Sequence, residues 1–363
     1  MKILRRLGGP LIFLCGLILL WLSHSVPGFA TWYASHIYPI FPLTIGWFFS
    51  LFHFSVFEVF VMATAFFIPI STIIIIKNLC SSEGRSNIKA GYKTVLFRLS
   101  YLLAIIFLVF VLTAGINYNR ESFADHIGIT VEDSSASELI GLYMLLIARA
   151  EVLAKQIETD ENGHFRLIRA GLYDYAIQSM RNLHSVYGGL GTFLPRANAP
   201  FLSRAVLSVF NISGFFSPWT MEAHYNGDMP PQGIPFIITH ELAHVAGHMR
   251  EDEANFIAYL ASRNAARVDF NYSAVYMALN YTLNALRTVV SREQYAELFA
   301  LLPEQIRRDF AAAAAYWRAF QGPAADMSTR VNDAYLRFNQ QADGVQSYGR
   351  MVDLLLAYYR ELL

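Results

Sequence analysis

The stretch Ile238–Phe256, "ITHELAHVAGHMREDEANF", decides how the second half of this chain is read. On a helix, positions four apart share a face, so His240 and His244 can aim imidazole nitrogens at one ion. Glu241 sits beside His240, within reach of a coordination position left to water, where a carboxylate can take a proton and pass it on. Apolar neighbours (Phe236, Ile237, Ile238, Leu242, Val245) predict that this helix is buried. The chemistry expected is hydrolysis assisted by Zn2+, with Glu241 as general base.

A third ligand is needed. Were the motif HExxHxxGxxH, Gly247 would make the turn and residue 250 would bind, but that residue is Arg250. Three histidines at i, i+4 and i+8 of one helix cannot converge on a tetrahedral ion, so His248 is expected to support a ligand or to face solvent. A turn over Gly247–Arg250 would start a second helix at "EDEANFIAYLA". There a ligand carboxylate followed four residues later by a hydrogen-bonding side chain can fix a histidine tautomer. Glu251 with Asn255 fits that spacing. Glu253, the competitor, is followed by Ile257.

Working outward, the 363 residues are 55% hydrophobic and only 15% charged, against about 25% charged in an ordinary soluble domain. The excess lies before residue 117. Leu11–Leu22, Val56–Ile76 and Val95–Ala114 each approach the roughly 20 apolar residues that cross a bilayer. The first of them could instead be a cleaved signal peptide, given "SVPGFATW" after it; no other feature demands cleavage. The chain thus reads as a membrane part, 1–116, and a soluble part, 117–363.

Ser23–Ser55 contains no Lys or Arg. Lys77, Arg85, Lys89 and Lys93 lie between the second and third spans, and Lys2, Arg5 and Arg6 at the N-terminus. The positive-inside rule then places the N-terminus in the cytoplasm and the soluble part outside the plasma membrane. The aromatic segment "TWYASHIYPIFPLTIGWFFSLFHF" is expected at the interface, and Glu58 near the headgroups, bonded to a neighbouring helix. Zero net charge and the lack of a basic block exclude nucleic acid as a partner. Cys15 and Cys80, both in or beside spans, exclude a disulfide framework and a cysteine zinc site.

The soluble part reads as mainly α. Ser135–Gln156 and Glu161–His184 carry helical spacing, Gly188–Gly233 reads as loops and short strands, and helical periodicity resumes at Pro235. Phe310–Phe320 and Tyr348–Leu362 are the clearest late helices.

On these residues the chain resembles the gluzincin-type zincins, in which HExxH is completed by a glutamate from a following helix, often as E-x-x-A-D. The match covers His240, Glu241, His244, Glu251 and Ala254, with Asn255 where the acid is usual; the interval from His244 to Glu251 is short. The wider pattern resembles an uncharacterised bacterial family of membrane-anchored zincins with three N-terminal spans. It is carried by "FSVFEV" (Phe54–Val59), "SGFFSPWTMEAHYN" (Ser213–Asn226), "HELAHVAGHMREDEANFIAYL" (His240–Leu260) and "SYGRMVDLLLAYY" (Ser347–Tyr359).

The resemblance implies a zincin-like, mostly helical domain with a small β segment before the HExxH helix, acting on a peptide or protein substrate. It also implies an edge strand ahead of the metal helix, for which "TMEAHYN" (Thr220–Asn226) is the candidate. Glu222, His224 and Asn226 would share one face of it, either lining the cleft or, as the plainer reading has it, solvated. Tyr348 or Arg350 would supply an oxyanion donor, unless both simply pack a helix start. A zincin fold retained as a non-catalytic binding or sensing module is the rival reading.

Overall fold

The computed structural model describes residues 2–191, 193–201 and 204–363; the side chains of residues 2–7, 89 and 90 are outside that description, including those of Lys2, Arg5, Arg6 and Lys89. Helix accounts for 71% of the chain and strand for 3%, so the fold is mainly α. Three helices, Lys2–Ser25, Val56–Leu79 and Ser82–Thr113, contain segments long and apolar enough to cross a membrane. The first and third lie close together because glycines face the contact. A Cβ on Gly16 would stand 2.7 Å from the Phe107 ring, and small residues are what let such helices approach. The second and third are joined by only Cys80 and Ser81, so Arg85, Lys89 and Lys93 ride on a helical extension, not on a loop.

The second helix begins on two caps. Ser55 Oγ accepts from Glu58 N at 2.9 Å, while the Glu222 carboxylate accepts from Val56 N and Phe57 N, each at 2.9 Å. A carboxylate there meets both the orphan N–H groups and the positive end of the helix dipole. Glu222 comes from a strand 165 residues away, which fixes the start of this apolar helix to the C-terminal half of the chain. Glu58 accepts from the backbone N–H of Phe201 at 3.1 Å. Phe201 lies in a loop of the C-terminal half, so this bond too ties the start of the helix to that half.

The aromatic segment after the first helix has two faces. Trp32, Trp47 and Phe48 are exposed, as an interfacial segment requires. Tyr33 and Tyr38 turn inward and pack with Val111, Ala114, Ile116, Met221 and Met249 in one buried cluster. The segment therefore forms part of the wall of the C-terminal body, with its large aromatics on the other, exposed face.

In that body, helices Ala136–Leu153, Leu172–Tyr187, Ile234–Val245, Glu251–Ser262, Val268–Val289 and Met351–Tyr359 share the main core. Its fully buried side chains include Phe236, Phe256, Phe270 and Tyr272, each contributing on the order of 1.5–3 kcal/mol by leaving water. The helix expected from Glu161 starts instead at Leu172. Asp160 Oδ1 accepts from Asn162 N and His164 N, and Gly163 adopts φ 75°, so residues 160–164 form a turn that helical spacing does not reveal.

The small β segment is a hairpin-like pair: β1, Gly214–Ser217, runs antiparallel to β2, Glu222–Tyr225, with Phe215 opposite His224. The outer edge of β2 is occupied, since Asn198 N donates to Ala223 O and Tyr225 N to Asn198 O. Among the described residues β1 has β2 alone as neighbour. The edge strand is therefore β1, and the expectation that Thr220–Asn226 forms it is corrected. Glu222, His224 and Asn226 neither line the cleft nor face solvent. All three are buried, with Glu222 and His224 holding the second apolar helix and Asn226 bonded to Ser208 and Ile212.

Candidate metal centre

The helix Ile234–Val245, with Pro235 in its first turn, is buried along its whole length. It ends at Gly247, whose φ of 92° favours glycine. His248 N bonds to Ala243 O at 3.0 Å and Gly247 N to His244 O at 2.9 Å, a Schellman closure. Tyr38 covers the remaining carbonyls: its hydroxyl donates to Val245 O at 3.0 Å and His244 O at 3.2 Å. A Cβ at residue 247 would stand 2.9 Å from the Tyr38 ring, so the glycine also makes room for this contact. The next helix, Glu251–Ser262, starts four residues later, and its first free N–H, that of Glu251, is met by Gln341 Oε1 at 3.2 Å.

This turn brings three ligand atoms together. His240 Nε2 lies 3.1 Å from His244 Nε2 and 3.1 Å from Glu251 Oε2, and His244 Nε2 lies 3.5 Å from the same oxygen. Ligands at 2.0–2.2 Å around a tetrahedral ion would be separated by about 3.3–3.6 Å, so the triangle has the size such an ion needs. All three residues are buried, and the group could hold a metal ion. Glu251 Oε2 has no hydrogen bond of good geometry, which fits an atom committed to a cation.

The surroundings fix the ligands' orientation. His244 Nδ1 is 2.7 Å from His248 O, so it carries the proton and leaves Nε2 free to bind. Asn255 stands beside His240 and favours its protonated form. The Asn255 amide nitrogen donates to Tyr348 O at 3.1 Å and the Tyr281 hydroxyl at 3.3 Å, which leaves its oxygen for the histidine. Burial alone would raise the Glu251 pKa, yet His244 and His240 hold it down at about 2. Burial would lower His244, but the charge of Glu251 lifts it to about 9.

Glu241 is the outlier. Burial, opposed by His244 and helped by Glu251, pushes its pKa up to about 8, and its Oε2 has no partner. Gly214 of β1 is pressed against it: a Cβ there would stand 2.4 Å from Glu241 Oε1, 2.7 Å from Ile237 Cγ2 and 2.9 Å from His224 O. Sequence reading missed this contact, although a glycine inside a strand is a signal of close backbone approach.

Other expected residues separate. Glu253 points away, to Arg250 (Nη2 to Oε1) and His248 (Nδ1 to Oε2, 3.6 Å). His248 is buried, not solvated: its ring reaches Gly189 O at 3.2 Å and meets Phe123 edge-on. Its support of His244 comes through the backbone carbonyl. Arg350 is exposed and paired with Asp343 and Asp353, away from the group. Tyr348 borders it, its ring stacked on His240 with centroids 6.4 Å apart.

Two cavities, about 730 and 740 Å³, meet at Gly214, His240, Glu241 and Tyr348, so the group lies midway along a groove bordered by β1. Fold and site together define a mainly helical chain with three membrane-length apolar helices and a buried two-histidine, one-glutamate group. The chain belongs to the family described as "Protein of unknown function (DUF3810)", whose model matches residues 33–356. No curated protein and no solved structure gives a match.

Proposed function

We propose that the protein is a membrane-anchored, zinc-dependent metallopeptidase of gluzincin type. The observation that carries this reading is the buried triangle of His240 Nε2, His244 Nε2 and Glu251 Oε2, with an uncommitted carboxylate, Glu241, at its side on an open groove. Zinc suits two imidazoles and a carboxylate, and when bound it supplies Lewis acidity toward water and a carbonyl.

The chain's own residues do the rest. A substrate strand adds to the open edge of β1, its backbone pairing with Gly214–Ser217. Glu241 takes a proton from the attacking water as the water oxygen bonds to the carbonyl carbon. The same proton passes to the nitrogen as the C–N bond breaks, giving an amine and a carboxylic acid, which ionises by releasing the water's second proton. In this reading Tyr348, whose ring stacks on His240, donates to the oxygen that gains charge. The absence of Lys and Arg from 23–55 supports an extracytoplasmic site and a cytoplasmic N-terminus.

The test is metal content and peptide cleavage by the full chain in detergent, wild type beside Glu241→Gln. Stoichiometric zinc with cleavage abolished in the variant is expected. Metal-loaded wild type that leaves a broad peptide library intact would defeat the peptidase reading.

A further inference from the structure

The two cavities that meet at Glu241 both mix polar and apolar side chains, but they reach different parts of the molecule. One runs past Gln232, Asn280, Phe310 and Trp317. The other is bordered by Phe210, Phe215, Phe216, Pro218, Met327 and Val331, and by Ala114, the residue that closes the third apolar helix. Ala114 lines the same cavity as His244 and Glu251. The end of a membrane-length helix and two members of the metal group therefore share one compartment.

The rim of this cavity continues the apolar surface. Met327 and Val331, one turn apart on the helix Pro323–Phe338, are 66% and 61% exposed. Outside the cavity lining, Phe201 is 79% exposed, with its backbone bonded to Glu58 at the start of the second apolar helix. Trp219 donates its indole N–H to Ile106 O in the third helix at 3.2 Å, and its ring stacks on Phe57 of the second. Trp219, in the turn between β1 and β2, thus lies against both apolar helices; tryptophan is enriched at bilayer surfaces, and large exposed apolar groups at a groove mark a binding face.

We infer that the substrate is a polypeptide anchored in the same bilayer, which enters by its juxtamembrane segment at the Ala114 end and lies along β1 to reach Glu241. This rests on the peptidase reading above. A polypeptide is favoured over a lipid because the groove wall is an open strand edge, whose N–H and C=O groups pair with a backbone and not with an acyl chain.

The full chain in phospholipid vesicles decides the matter with one peptide sequence in three forms: untethered, tethered to a dipalmitoyl lipid through a short spacer of about five residues, and tethered through about thirty. The short-tethered form should be cleaved at least about tenfold faster than the untethered one, a threshold set below the roughly 10²–10⁴ that tethering can supply, and no slower than the long-tethered form. Met327→Asp with Val331→Asp should erase that preference. Equal rates for tethered and untethered peptide, or a requirement for the long spacer, overturn the inference and leave the peptidase reading standing.

If no form is cleaved, the same peptides carrying a photo-crosslinker are bound to the Glu241→Gln chain. Labelling of β1 and Pro323–Phe338 by the short-tethered peptide keeps the anchored ligand and sinks the hydrolase. Labelling elsewhere, none at all, or equal labelling by the lipid without its peptide overturns the inference.

Discussion

Two buried sets of histidine and glutamate stand side by side in this protein, built from the same residue types and balanced in different ways. In the first, His240, His244 and Glu251 turn their ligand atoms toward one point, and among the described residues no arginine or lysine pairs with Glu251. In the second, Glu253 is held by Arg250 and feels Arg120, while His248 closes on a backbone carbonyl and an aromatic edge. Glu251 and Glu253 are two residues apart, about 200° around a helix, so one register separates a carboxylate aimed into the groove from one aimed into the wall. Arginine supplies the cation in the wall. In the groove a protonated His244 balances Glu251 while no ion is bound, a charge that a metal ion would supply instead.

The sharpest way to break this contrast is at Glu241, which shares the groove and its lack of a fixed cation. Glu241→Gln is nearly isosteric and should keep the metal while turnover falls by about 10²–10⁴-fold; steady-state kinetics on metal-loaded protein would expose an unaffected rate. Next come the two glutamates. Glu251→Ala should weaken metal binding by more than the roughly 10–100-fold that loss of a ligand's hydrogen-bonding partner costs, whereas Glu253→Ala should retain the ion. Metal analysis after dialysis that returned the reverse result would assign the third ligand to Glu253.

Glu253→Gln should cost stability instead, about 2 kcal/mol, because Arg250 loses its ion pair while remaining partly hydrated. Thermal unfolding of the metal-loaded chain measures it. Gly214→Ala should cost about 1–3 kcal/mol, since its Cβ meets the His224 backbone as well as the Glu241 and Ile237 side chains. It should also lower activity by displacing Glu241, and an alanine variant with wild-type melting and kinetics would remove β1 from the site.

The smallest effect is in pH. Burial, with Arg120 and Arg250, holds His248 well below its usual pKa, and burial takes His224 down to about 3. Both are neutral when folded and protonate near 6.5 when unfolded, so their contribution is present above 6.5 and lost as pH falls below it. Between pH 6.5 and 5.5 the loss should reach up to about 1 kcal/mol per histidine. In metal-free protein His244, raised to about 9, runs the other way: its contribution is present below 6.5 and lost as pH rises through 9. Melting temperatures of chelated protein across this range would reveal a missing acid limb.

Periodicity made the membrane-length helices and the helices around the motif legible, because 3.6-residue spacing and apolar runs are local properties. Spacing also named His240, His244 and Glu251 as the group that the fold brings together. What it could not supply was the partner across the chain. Glu222 reads as a polar residue on a strand, and only the fold shows it capping a helix that begins at Val56. The same holds for β1. Strand pairing with Asn198 decides which edge stays open, and no local pattern encodes it. The turn at 160–164 was missed because a side-chain turn at Asp160 overrode helical spacing.

Tyr38 has a bearing on proteolytic shedding. Its hydroxyl closes the end of the histidine helix from a segment that precedes the second apolar helix, and its ring fills a cluster with Met221 and Met249. A cut near residue 117 would free a fragment carrying every candidate ligand, yet it would strip that cap from His244 and Val245 and bare the two methionines to water. A shed fragment would therefore keep the candidate ligands and lose the group that closes their helix.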